Sequence, residues 1–153
     1  MRSEEELYQQ IANRMAAAVP QTAAAAIYTG KIYASHEQCG LSWLGPSGEV
    51  QQFPFGRRPE RIEFELRELI GEVRNLMSRS DREPWTHFQI MLRCGAKINM
   101  IFAYIPEDDD WVGVFMRRVS DLTLEEANAA YIPEKDWREF RRKRLEADST
   151  FTS

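Results

Sequence analysis

Between Pro59 and Leu76 the apolar residues Ile62, Leu66, Leu69, Val73 and Leu76 follow one another in alternating steps of four and three. That spacing winds a stripe along one face of an α-helix and leaves the charged residues on the opposite face. Such a helix takes most of its stability from the surface that its stripe covers. Pro59 suits the first turn, where a missing N–H costs nothing. Ser80-Asp81 then leads to Pro84, which ends the helix. The rest of the chain must supply the apolar face, and the segments on both sides have strand character.

Residues 24–33 carry Ile27, Tyr28, Ile32 and Tyr33, which favour extended backbone, and Gly30 interrupts a helix there. Residues 39–44 and 49–53 read as two further strands around a Gly45-Pro46-Ser47-Gly48 turn, followed by a loop at 54–59. Residues 88–92 and 98–104 read as a hairpin around Cys94-Gly95-Ala96, and 111–116 as a sixth strand. Helices open and close the chain. Ser3 with Glu6 has capping-box spacing ahead of the stripe Leu7, Ile11 and Met15, which Pro20 ends. Thr123 with Glu126 repeats that spacing for a short helix to about Ala130. Pro133 opens a last helix with Trp137 and Phe140 and a basic end. The expected fold is α+β: an antiparallel meander of five or six strands with helices packed on one side.

At 153 residues the chain fits a single domain, with a helical C-terminal segment from about residue 117. A net charge of −4 and a pI near 5.3 exclude nucleic-acid binding by bulk electrostatics. Two isolated cysteines, Cys39 and Cys94, make no disulfide framework and suit a reducing compartment. No apolar run reaches the roughly 18 residues of a membrane span. The opening Arg2-Ser3-Glu4-Glu5-Glu6 lacks the apolar core of a signal peptide. A cytoplasmic protein is expected.

Catalytic signatures are sparse. His36 and His87 are the only histidines, and neither HExxH nor CxxC spacing is present. There is no GxSxG and no glycine-rich loop ahead of a lysine. Cys94 near His87 offers a nucleophile and a base, with no third group to orient them. Glu107, Asp108, Asp109 and Asp110 lack the alternating spacing of a calcium loop. They read as a solvated turn or a protein-binding surface. Arg138, Arg141, Arg142, Lys143 and Arg144 read as a helix end that complements the dipole, or as an RNA-binding face without interleaved aromatics. Trp85, after Pro84 at the start of a strand, reads as a structural ring. No catalytic residue, cofactor or metal is expected, and binding is the expected mode of action.

The ordered features resemble the YezG family of antitoxins, immunity proteins against polymorphic nuclease toxins of bacteria. The resemblance covers roughly residues 5–111. It rests on Leu7-Tyr8-Gln9-Gln10-Ile11-Ala12, on the Trp43 strand with its Gly-Pro-Ser-Gly turn, and above all on Glu83-Pro84-Trp85-Thr86, Leu92, Gly95 to Ile98, Tyr104 and the acids. Ala96 is inserted, Ile101 and Ala103 replace acidic residues, and the segment after Trp111 is longer than in the family pattern. The resemblance implies an immunity protein that binds one toxin nuclease domain with a basic surface and blocks it. The residues implied for that contact are Glu107, Asp108, Asp109, Asp110, Trp111 and Trp43. Direct nucleic-acid or membrane binding is not expected, and homo-oligomerisation is left open. The alternatives are a small cytoplasmic enzyme using Cys94 and His87, and an RNA-binding module using the Arg138 to Arg144 face.

Overall fold

The computed structural model describes residues 3–78, 84–93 and 98–152. The expected turn at Cys94-Gly95-Ala96, and with it Cys94, lies outside the described residues, as do Ser80, Asp81 and Glu83. The chain divides into two compact units, Met1–Phe102 and Ala103–Ser153.

The first unit is α+β. Helix α1 (Glu4–Ala18) starts where the Ser3 hydroxyl accepts from the Glu6 N–H at 3.2 Å. Its stripe residues Leu7, Ile11 and Met15 are wholly buried. Strands β1 (Ala25–Ile32), β2 (Glu37–Leu44) and β3 (Val50–Gln51) follow, then α2 (Glu60–Met77), β4 (His87–Arg93) and β5 (Ile98–Ala103). The antiparallel sheet has the order β3-β2-β1-β4-β5. The first three strands meander, and α2 returns the chain so that β4 pairs with β1, Thr29 opposite Gln89. Helices α1 and α2 pack against one face, over Tyr28, Leu41, Phe88 and Ile90. Each fully buried aliphatic or aromatic side chain there is worth about 1.5–3 kcal/mol.

Two details of α2 differ from its sequence pattern. Leu76 sits in the last turn and is 42% exposed, whereas Ile70, outside the stripe, is wholly buried. Trp85 is buried at the start of β4, with its ring 4.8 Å from that of Phe102. Arg74 of α2 donates to the Trp85 carbonyl at 2.7 Å and lies over the same ring. Gly30 is required by close approach. A Cβ there would lie 2.7 Å from the Cys39 Sγ and 2.8 Å from Phe88 Cε1.

The second unit is built on turns and helices. A 3-10 turn at Glu107–Asp109 and another at Val119–Asp121 lead to α3 (Leu124–Ala129) and α4 (Glu134–Thr152). Thr123 and Glu126 form the full reciprocal capping box. Val119, Leu122, Ala127, Ile132 and Trp137 make a separate core, and the Trp137 indole donates to the Leu122 carbonyl at 3.0 Å. The sixth strand expected at 111–116 is absent. Gly113 and Met116 take positive φ, which breaks an extended run. The basic residues do not end α4 either: the helix runs on to Thr152, so the arginines lie in its body.

Candidate functional site

The acidic run divides by exposure. Pro106 leads into the 3-10 turn, which aims consecutive side chains in different directions. Glu107 and Asp108 face solvent, and Asp110 is half-buried. Asp109 is 7% exposed. Its carboxylate accepts from the Ser120 backbone N–H at 2.9 Å and from the Ser120 hydroxyl at 2.5 Å. Two donors on a buried carboxylate satisfy it and fix the turn against the segment that precedes α3. Trp111 is half-buried, edge-on to Phe140 at 6.1 Å, and so belongs to the second unit's apolar framework. Trp43 belongs to the first unit, where it pairs from β2 with Gln51 of β3 and packs edge-on against Phe53 at 4.8 Å.

Four residues of the basic run have internal partners. Arg138 pairs with Glu134 at 2.7 Å, and Arg142 bridges Glu139 and Glu146. Arg144 pairs with Asp121 and donates to the Ser120 hydroxyl at 3.2 Å. Arg141 lies over the Trp137 ring at 4.9 Å. Ser120 therefore stands between an arginine of α4 and the buried Asp109, a link between the acidic and basic segments.

His87 is 1% exposed, with Nδ1 2.8 Å from the Thr86 hydroxyl and its ring edge-on to Tyr33. Among the described residues, no group of three His, Cys, Asp or Glu side chains gathers to hold a metal. No helix of the described residues is long and apolar enough to cross a membrane.

Sequence reasoning missed a cleft of about 270 Å³ between α2 and β2, lined by Tyr28, Glu37, Cys39, Glu63, Phe64 and Arg67. Tyr28 and Cys39 come from adjacent strands, and Glu63, Phe64 and Arg67 from one face of α2. Arg67 pairs with Glu37, and Arg58 holds Glu63 at 2.9 Å. Burial pushes the Cys39 thiol above its ordinary value, so it stays protonated and is a poor nucleophile. Burial also pushes the Tyr28 hydroxyl up, with the neighbouring Cys39 adding to the effect, and it remains a donor. Only the i, i+4 spacing of Glu63 and Arg67 hinted at this cleft; its other walls lie far apart in the chain.

Neither protein-family models nor the curated proteins contain a match to this chain.

Proposed function

We propose that the chain is an immunity protein that binds a cognate nuclease toxin domain in the cytoplasm and neutralises it by direct contact. The observation that carries the reading is the mounting of the acidic turn. Asp109 is locked to Ser120, so Glu107 and Asp108 are held out to solvent on a fixed base. A nuclease needs a basic cleft for phosphate, and fixed carboxylates suit such a surface. Preorganised charge also avoids part of the ordering cost of association. The motif resemblance from Glu83 to Tyr104 points the same way. Against the RNA-binding alternative, Arg138, Arg142 and Arg144 already hold carboxylates.

The test pairs this protein with a candidate toxin nuclease domain, sought first in the gene immediately upstream. Stoichiometric addition should abolish nucleic-acid cleavage. Glu107→Lys with Asp108→Lys should weaken inhibition, most at low salt, while the melting temperature holds. Cleavage that continues at full strength with the wild-type protein present refutes the proposal for that partner.

A further inference from the structure

The strand β2 is covered along only part of its outer edge. Strand β3 pairs with it at Trp43 and Leu44 and goes no further. At Leu41 the outward carbonyl accepts from the Arg58 guanidinium at 3.4 Å. Backbone groups alternate in direction along an antiparallel strand, so those of Cys39 and Glu37 also point outward. Among the described residues, no backbone group outside the ladder hydrogen-bonds to them there. The side chains of Glu37 and Cys39 line the cleft against α2.

Two buried donors on residues that line that cleft have no good acceptor among the described residues. Among the described residues, the buried Tyr28 hydroxyl has no hydrogen-bond partner of good geometry, only the Cys39 thiol beside it. The buried Nε–H of Arg67 has none either, because that guanidinium meets Glu37 through its terminal nitrogen. Buried donors without acceptors are uncommon, and two on one cleft call for an acceptor from outside.

We propose that this open edge docks an extended segment of a partner protein, which adds as a strand and lays an asparagine or glutamine side chain in the cleft. The backbone supplies the ladder and the pocket supplies the choice of side chain. The cleft's charges select the amide. A lysine or arginine brings only donors, adds charge beside Arg67 and leaves Tyr28 unsatisfied. A carboxylate meets the donors but lies between Glu37 and Glu63. An amide oxygen accepts from Tyr28 and Arg67 while its NH₂ donates to a rim carboxylate. The exposed ring of Phe64 flanks the added strand. The partner's identity as a toxin rests on the function proposed above; the docking chemistry does not.

The experiment titrates the full chain with acetyl-Thr-Thr-Xaa-Thr-Thr-N-methylamide, where Xaa is asparagine, alanine, lysine or glutamate, and follows backbone amide shifts and hydrogen exchange. The asparagine peptide should shift Glu37, Cys39 and Leu41, slow exchange of the outward amides, and bind at least about tenfold tighter than the alanine peptide. Tyr28→Phe, which removes a hydroxyl whose only polar neighbour is the Cys39 thiol, should melt no lower than wild type yet lose the preference for asparagine. Equal binding of all four peptides, no shift on β2, or a Tyr28→Phe variant that melts lower overturns the proposal. Shifts on β2 that grow with protein concentration alone overturn it too, by placing a second copy there. The nuclease assay is independent. Inhibition without peptide binding removes this site and leaves the proposed function; peptide binding without inhibition does the reverse.

Discussion

Asp109→Ala should destabilise the second unit far more than Asp108→Ala, its neighbour in the same acidic run. The alanine removes the acceptor for two buried donors, the Ser120 N–H at 2.9 Å and its hydroxyl at 2.5 Å. A buried donor left without a partner costs about 1–3 kcal/mol, and bonds to a charged acceptor lie at the upper end. The hydroxyl can rotate to another acceptor, so the two do not simply add. The expected cost is about 2–4 kcal/mol, or roughly 5–15 °C in melting temperature. Asp109→Asn keeps one acceptor atom and turns a donor toward the other group, so about 1–2 kcal/mol is expected. Asp108 faces solvent, and its change should stay within about 0.5 kcal/mol. Urea denaturation followed by circular dichroism gives the energies, and hydrogen exchange at the Ser120 amide localises them. Equal midpoints for Asp109→Ala and Asp108→Ala, with Ser120 still protected, would refute the reasoning. Charge reversal at all three aspartates would therefore mix folding with binding, which is why the partner test above leaves Asp109 intact.

Two further outcomes are expected. Trp85→Ala should cost about 3–5 kcal/mol in urea denaturation, because the ring is 8% exposed and packs on Phe88 and Phe102; a wild-type midpoint would contradict this. The Glu126 carboxyl is held down at about 2, first by the Arg117 guanidinium and then by the Thr123 backbone N–H, from an ordinary 4.5. A depressed folded-state value stabilises above the unfolded value and is lost as pH falls, so the start of α3 should loosen between about pH 4.5 and 2. A carboxyl titration by nuclear magnetic resonance should place Glu126 near the lower figure, and added salt should raise it; a midpoint near 4.5 would sink the idea.

Local signals were legible in the sequence, and distant ones were not. Ser3 with Leu7, Ile11 and Met15 specified α1, and Thr123 with Glu126 specified the start of α3, because caps and stripes act within a few residues. The extended runs marked five strands for the same reason. Residues 111–116 misled because their apolar content looks extended, whereas positive φ at Gly113 and Met116 bends the backbone. The burial of Asp109 depends on Ser120, eleven residues on, and no local pattern marks that pairing. The basic residues looked like a helix end because charge alone does not say where a helix stops. The cleft draws Tyr28, Cys39 and Arg67 from three separate segments, so it exists only once β1, β2 and α2 are packed.

The arginines of α4 have a consequence at long range. An isolated charge projects a field that falls slowly with distance, but a charge beside its opposite behaves as a dipole, whose field fades much faster. Arg138, Arg142 and Arg144 each sit against a carboxylate. At physiological ionic strength, where screening sets in over about 8 Å, an approaching phosphate would sense little of them. To bind there it would first have to displace Glu134, Glu139, Glu146 or Asp121, trading one anion for another. Three arginines that read as strongly cationic in one dimension are thus nearly silent in three.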